Sequence, residues 1–179
     1  DLPDSLASLQ LYAFSGCSSL KEVFIPESTT VIGPFVFSNC TNLTAIWVDE
    51  SNPKWSSDEF GVLYNKDKTL LEKVPDMFAG YYTIADTVTH ISIDAIRGCK
   101  GLTGLTIPDS VTFIDECVVS ERSAVTAVHY TGTEEQKNAL RMIRAEMAQA
   151  EKRPVLLHGV TGSGKTEIYM QVIAEVLAK

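Results

Sequence analysis

The sequence predicts a mainly β solenoid with short helical turns and a hairpin insertion, followed by a C-terminal segment of helix, strand, glycine-rich loop and helix. The solenoid is predicted by a period of 23 residues, which aligns Cys17 with Cys40 and 85–91 with 108–114. Self-similarity at such a period is typical of stacked turns that bury one continuous core. The second segment is predicted because the period stops after residue 132.

Composition and charge limit the class of protein. The chain is 45% hydrophobic and 8% aromatic, which excludes disorder. Its longest apolar runs are far shorter than the roughly 18 residues of a membrane span. Residues 1–135 carry 8 − 19 = −11 charges and residues 136–179 carry 7 − 4 = +3. This asymmetry indicates two segments of different history, and an acidic surface on 1–132 disfavours nucleic-acid binding there.

Within each turn the pattern predicts two short strands. Residues 20–26 and 102–108 alternate apolar and polar positions before a proline, where a strand ends because the amide donor is lost. Residues 109–114 predict a turn and a second extended piece, with Val111 and Ile114 pointing inward. No single turn can bury its apolar edge alone, so neighbouring turns must stack.

The cysteines follow the repeat. Cys17, Cys40 and Cys99 occupy one repeat position, three residues after an aromatic in the first two turns, at Phe14 and Phe37. That spacing predicts a short helical turn that buries the aromatic ring and the thiol together. Since no Cys-x-x-Cys spacing occurs, free core thiols are favoured over disulfides or a metal site.

These features resemble the BspA-like branch of leucine-rich repeats over about residues 2–132. The matching positions are Pro26, Val31, Ile32, Gly33, Phe37, Cys40, Leu43 and Ile46. The match weakens toward its end, where Cys117, Val119 and Arg122 replace core residues, as expected of a capping repeat. The resemblance implies a solenoid whose strand face binds a ligand.

One turn, within about 49–82, is longer than the others. The landmark offset across it is 59 residues rather than 2 × 23 = 46, which leaves 13 extra residues. Residues 61–64 and 69–75 predict a hairpin with a polar turn between them. Trp55 and Phe60 near its base either face a ligand or, as we favour, seal the enlarged turn.

After residue 132 a different pattern begins. Thr133 and Gln136 form a capping box, which predicts a helix that ends near Pro154. The apolar run 155–158 is typical of a buried parallel strand.

Residues 159–166 form a complete G-x-x-x-x-G-K-[ST] motif between that strand and a predicted helix at 165–177. The residues expected to bind ATP are Gly159, Thr161, Gly162, Ser163, Gly164, Lys165 and Thr166. Glycines let successive backbone N–H groups face phosphate oxygens, Lys165 supplies a cation, and Thr166 would hold Mg²⁺. The alternative, a glycine-rich loop with a lysine by chance, is disfavoured by the flanking elements.

Residues 154–169 closely resemble the P-loop region of bacterial primosomal protein N′, a replication-restart DNA helicase family. The resemblance covers about 133–179 and implies that Gln136 contacts adenine. The acidic strand, coupling motifs and second lobe of such a motor are not found before Lys179, so hydrolysis is not expected. Asp49 is rejected as the acidic strand's residue, since the repeat already explains its surroundings.

Two functions from different classes follow. The first is a non-enzymatic recognition or adhesion module at 1–132 that binds a protein or cell-surface ligand and is secreted or surface-exposed, any export signal lying outside this sequence. The second is a cytoplasmic ATP-binding helicase fragment at 133–179. A join of two unrelated segments is favoured, and the tail is then expected to dock on the solenoid end, to pair with a second copy or to stay partly mobile. His90, His129 and His158 lack partners at metal-ligand spacing and are expected to be structural.

Overall fold

Four sheets of short, mainly parallel strands form the solenoid in the computed structural model, which describes residues 2–115, 125–131 and 156–158. A two-stranded sheet pairs β2 (Glu22–Ile25) with β4 (Ala45–Val48), and a four-stranded sheet contains β8 (Ala79–Thr83), β10 (Gly101–Ile107), β12 (Ala127–Tyr130) and β13 (Leu156–His158). Another two-stranded sheet pairs β1 (Ser8–Leu9) with β3 (Val31–Ile32), and a five-stranded sheet contains β5 (Trp55–Ser57), β6 (Leu63–Asn65), β7 (Leu70–Lys73), β9 (His90–Ile91) and β11 (Phe113–Ile114). The predicted mainly β solenoid is confirmed.

The 23-residue period sets the register of these sheets. Val23 lies opposite Ile46, and His90 lies opposite Phe113, each pair in parallel and 23 positions apart. Successive side chains of a strand point to opposite faces, so a constant offset places buried residues above one another. In β2 this alternation buries Val23 and exposes Phe24.

The enlarged turn contains the predicted hairpin. Strands β6 and β7 pair antiparallel, with Leu63 opposite Lys73, and β7 then pairs in parallel with β9. Asn65 closes the polar turn, because its Oδ1 accepts the backbone N–H groups of Thr69 and Leu70 at 2.8 and 2.9 Å. An Asn side chain bonded to backbone this way is a common turn device. The hairpin prediction is confirmed.

Trp55 and Phe60 have different environments. Trp55 is partly buried and packs against the N-terminal core cluster, which fits the sealing role. Phe60 is 52% exposed, and its ring touches the edges of Phe78 and Tyr82 at centroid distances of 6.1 and 6.3 Å. The expectation that both aromatics seal the turn therefore holds for Trp55 and is wrong for Phe60.

The apolar interior consists of two clusters that meet at the enlarged turn. The N-terminal cluster includes Ile25, Ile46 and Leu63, and the C-terminal cluster includes Val62 and Tyr64. The side chain of Leu63 thus packs into the N-terminal cluster, whereas those of Val62 and Tyr64 on either side of it pack into the C-terminal cluster. Strand β6 couples the two parts of the core.

The short helical turn predicted around each buried aromatic takes the form of linked turns. The N–H of Ser38 donates to the carbonyl of Phe35, and the N–H of Cys40 donates to that of Phe37. Phe35 and Asn39 have φ values of 57° and 58°, which interrupts a right-handed helix. Phe37 and Cys40 are buried together, as predicted.

Several predictions fall outside the described residues. They include the capping repeat at 116–124, the helix that begins at Thr133, and the helix at 165–177. The boundary between 132 and 133 likewise stays a prediction.

Candidate functional site

The outward side of β2, β4, β8 and β10, which we call the strand face, presents aromatic side chains. Phe24 and Trp47 lie side by side in parallel register, and Phe24 is 50% exposed. Their neighbours Val23 and Ile46 are buried in the core. Large exposed aromatic side chains that lie together are typical of contact surfaces.

Tyr81, in β8, is the exposed aromatic residue that the four-stranded sheet contributes to the strand face. It is 52% exposed, and its ring covers Gly104, where an added Cβ would lie 2.2 Å from the ring. The hydroxyl of Thr106 donates to the Tyr81 hydroxyl at 3.0 Å. The ring is therefore held in place at both ends. Sequence reasoning missed this pair, although a tyrosine 23 residues before a glycine was a readable signal.

A row of exposed carboxylates follows the carboxyl ends of these strands. This carboxylate row consists of Asp4, Glu27, Glu50, Asp86 and Asp109. Each acid occupies the second position of the same hydrogen-bonded turn; the five turns span 3–6, 26–29, 49–52, 85–88 and 108–111. The five backbones thus share one local geometry, which places one carboxylate on each turn of the solenoid.

Hydrogen bonds from side chains connect neighbouring turns of the row. The hydroxyl of Ser28 donates to the carbonyl of Asp4 at 2.6 Å, one turn earlier. The hydroxyl of Ser110 donates to the carbonyl of Val88 at 2.7 Å. The row is therefore positioned by the solenoid itself.

Beneath the enlarged turn lies a buried ionic cluster of Lys73, Asp76 and Asp94. The Lys73 Nζ lies 2.9 Å from Asp76 Oδ1 and 3.7 Å from Asp94 Oδ2, and all three side chains are at most 4% exposed. The ammonium also donates to the carbonyls of Asp94 and Arg97 at 3.1 and 2.9 Å. Both Asp76 oxygens lack a well-oriented hydrogen bond, so the ionic attraction to Lys73 compensates for their burial.

The charge on Lys73 is stabilised by this environment. Burial lowers the pKa of Lys73, but the carboxylates of Asp94 and Asp76 raise it more, so the pKa lies above its ordinary value. A charged ammonium is a poor nucleophile. The cluster therefore serves structure rather than catalysis.

A second polar network connects the enlarged turn to β8. The hydroxyls of Tyr64 and Tyr82 share a short hydrogen bond, and Tyr82 donates to Asp58 Oδ2 at 2.6 Å. Burial raises the pKa of Tyr64 to about 12. Both phenols thus stay protonated at neutral pH and act as structural links.

The cysteines are free among the described residues. Cys40 and Cys99 are buried, and their thiols donate to carbonyls of the preceding turn, at Phe14 and Val74. Cys17 is exposed, so its assignment as a core thiol is wrong. The described residues contain no cluster of three or more His, Cys, Asp or Glu placed to hold a metal. They also contain no helix able to span a membrane.

The predicted nucleotide-binding residues lie outside the described part of the chain. They are Gln136, Gly159, Thr161, Gly162, Ser163, Gly164, Lys165 and Thr166. Strand β13, which directly precedes the loop, is described: its backbone pairs in parallel with β12, with Leu156 opposite Ala127 and His158 opposite His129. The predicted parallel strand is confirmed, and it docks on the last strand of the solenoid.

Two family models match the chain. Residues 1–72 and 79–136 match six copies of the BspA type leucine rich repeat region. Residues 129–179 match the model described as type III restriction enzyme, res subunit. The matches overlap over 129–136, the region of the predicted join.

The curated relatives match part of this chain. Replication restart protein PriA of Bacillus subtilis is 57% identical over 47 residues, which cover 26% of this chain and 6% of that protein. PriA of Rickettsia felis is 30% identical over 115 residues, which cover 64% of this chain and 17% of that protein. The chain therefore spans less than a fifth of the length of these curated relatives.

Solved structures match the solenoid. A leucine-rich repeat protein from Eubacterium ventriosum is 26% identical with a TM-score of 0.53, covering 63% of this chain and 37% of its own. The pneumococcal vaccine antigen PcpA is 21% identical with a TM-score of 0.57, covering 70% and 33%. A leucine rich cell surface protein from Faecalibacterium prausnitzii is 18% identical with a TM-score of 0.57, covering 95% and 55%. The last two matches support the fold alone.

Proposed function

This chain belongs to the BspA type leucine rich repeat family, and from that premise we propose that it is a non-enzymatic recognition or adhesion module that binds a protein or cell-surface ligand. The observation that carries the proposal is the strand face, where Phe24 and Tyr81 are 50% and 52% exposed on fixed strands. Aromatic rings supply large contact area at low conformational-entropy cost. Solenoids commonly use such extended faces for binding.

The proposed location is the cell surface or the extracellular space. One similar solved structure is of a cell surface protein, and another is of a vaccine antigen. The net charge of −8 suits a soluble surface module. Detection of the protein by antibody on intact, unpermeabilised cells tests this part, and a signal only after lysis contradicts it.

For the tail we propose a truncated P-loop that binds ATP, with Mg²⁺ at Thr166, without hydrolysing it. Its support is the complete motif at 159–166 and the parallel strand β13 that precedes it. The tail also offers a surface for self-association. The alternative function is an ATP-binding fragment of a primosomal DNA helicase, favoured by the 57% identity of 47 residues to PriA.

The recognition function is tested by a triple variant, Phe24→Ser/Trp47→Ser/Tyr81→Ser. We expect at least about a tenfold loss of binding to intact cells or to a panel of purified extracellular-matrix proteins, since buried aromatic contacts dominate such interfaces. The matched control is Leu11→Ser/Val31→Ser/Phe113→Ser, which removes side chains that are 54%, 51% and 43% exposed away from the strand face. Equal binding by the two variants, with equal thermal stability, contradicts the proposal.

Nucleotide binding is tested by calorimetric titration with MgATP. Lys165→Ala is expected to abolish the signal, whereas Lys152→Ala, outside the motif, is expected to retain it. A signal that is absent in the unmodified chain, or that survives Lys165→Ala, contradicts the proposed site. Phosphate release that depends on DNA would favour the helicase alternative.

A further inference from the structure

The carboxylate row borders the strand face. Phe24 precedes Glu27 by three residues, and Trp47 precedes Glu50 by the same interval. In β8 and β10, Thr83 lies opposite Thr106, so Asp86 and Asp109 follow at matching positions. One edge of the aromatic surface is therefore lined with negative charge, one carboxylate per repeat turn.

The length of the row suits an extended chain. The hairpin turn of the insertion lies between Glu50 and Asp86, because Lys66 contacts Glu50 and Thr87 contacts Lys68. The row from Asp4 to Asp109 thus spans roughly five strand spacings of about 4.8 Å, or about 24 Å. An extended segment of about seven residues covers that distance.

A lysine of the chain itself lies beside this row. The ammonium of Lys66, from the hairpin turn, donates to the backbone carbonyl of Glu50 at 2.8 Å and not to a carboxylate of the row. Residues 1–135 as a whole carry a net charge of 8 − 19 = −11, which attracts cationic partners.

We propose that the strand face and the carboxylate row together bind a basic, extended polypeptide segment. Its Lys or Arg side chains pair with Glu27, Glu50, Asp86 and Asp109, while its apolar side chains contact the aromatic rings. This inference rests on the proposed recognition function and names the class of its partner. An uncharged polysaccharide would use the rings but not the row.

The test uses a fluorescent peptide of about eight residues that alternates lysine and leucine, which matches the length of the row. Fluorescence anisotropy is expected to detect binding to the full chain, and raising the salt from about 50 to about 300 mM is expected to weaken it about tenfold. The corresponding glutamate–leucine peptide and uncharged oligosaccharides are expected not to bind.

Two variants of equal charge locate the site. Asp86→Asn/Asp109→Asn removes two members of the row, and we expect about a fivefold weaker affinity for the lysine peptide. Glu146→Gln/Glu151→Gln removes two carboxylates of the C-terminal segment, outside both the row and the strand face, and little change is expected. Equal affinities of the two variants overturn the proposal, as does binding of oligosaccharide instead of peptide. If the aromatic triple variant loses all binding while the row variant binds as tightly as the unmodified chain, the recognition function is retained and a basic partner is rejected.

Discussion

The regular turns and the enlarged turn, within about 49–82, satisfy their polar groups in different ways. In the regular turns a side chain bonds to the backbone one period earlier. The hydroxyl of Thr44 donates to the carbonyl of Lys21 at 2.8 Å, and that of Thr126 donates to Thr103 at 3.1 Å. Each contact is modest and is repeated along the solenoid, so the period itself supplies the stabilisation.

The enlarged turn depends on partners that occur once. Lys73 joins Asp76 and Asp94 in the buried ionic cluster, and Ser38 donates to Asp94 at 3.1 Å across 56 positions of sequence. These contacts link the turn before the insertion to the turn after it. Removal of one such contact in a regular turn is therefore expected to have a local effect. Removal of one contact in the enlarged turn is expected to weaken the whole solenoid.

The largest expected effect is that of Lys73→Met. Removing the ammonium leaves Asp76 buried without its cation and Asp94 with only the exposed Arg97 guanidinium at 3.9 Å, and the loss of one partner from a buried ion pair typically lowers the free energy of unfolding by about 4 kcal/mol. Urea denaturation followed by circular dichroism measures the change.

The matched control is Lys66→Met in the exposed hairpin turn, expected to lie within about 0.5 kcal/mol of the unmodified chain. Adding Asp94→Asn to Lys73→Met is expected to restore part of the loss, because one of the stranded charges is removed. Similar stabilities for Lys73→Met and Lys66→Met would show that the enlarged turn does not rely on this cluster.

A smaller effect is expected at Gly61, where the enlarged turn meets β4. Its φ is +72°, and an added Cβ would lie 2.5 Å from the Cβ and 2.8 Å from the Cα of Ala45. Since backbone must move, Gly61→Ala is expected to lower the free energy of unfolding by about 3 kcal/mol. In Gly104→Ala only the exposed Tyr81 ring must turn away, so about 1 kcal/mol is expected. Thermal melting of both variants compares them, and an equal loss would mean that the two glycines are equally constrained.

The same contrast explains how much of the molecule the sequence predicted. The sequence was sufficient to predict the period, the strands, the inward position of Val111 and the hairpin, because each depends on a local pattern or on a fixed spacing. The ionic cluster was not predictable, since nothing near Lys73 in sequence indicates that Asp94 will lie beside it. Tyr81 and the carboxylate row were encoded by the period, but their role depends on exposure. The exposure of Cys17 was missed because the repeat position alone does not determine how much of a side chain its surroundings cover.

The third prediction concerns pH and the carboxyl group of Glu72 in β7. Burial, with Asp115 and Asp94 nearby, raises the pKa of Glu72 from 4.5 to about 7, although Ser92 and Lys73 lower it. The folded protein therefore holds this proton more tightly than the unfolded chain. Its contribution to stability is complete below about pH 4.5 and is lost as the pH rises through about 7.

We expect the free energy of unfolding to fall by up to about 3 kcal/mol over this range in the unmodified chain. Glu72→Gln, which cannot ionise, is expected to flatten the profile, whereas Glu59→Gln, at an exposed site, is expected to leave it unchanged. An identical slope in the Glu72 variant would rule out this carboxyl group as the source.

The smallest expected effect on stability concerns the cysteines of the regular turns, whose reaction rates report how easily these turns open. Burial raises the pKa of the Cys40 thiol to about 11 and that of the Cys99 thiol to about 12, whereas Cys17 is exposed. Because the thiolate is the reactive form, a water-soluble disulfide reagent at pH 8, used on a Cys117→Ala background, is expected to modify Cys17 at least about a hundredfold faster than Cys40 or Cys99. Peptide mapping by mass spectrometry assigns each site, and Cys17→Ala, expected to change stability by less than about 0.5 kcal/mol, removes the fast phase. Modification of Cys40 as fast as that of Cys17 would mean that a regular turn opens easily. The repeated contacts would then supply less stability than their number indicates.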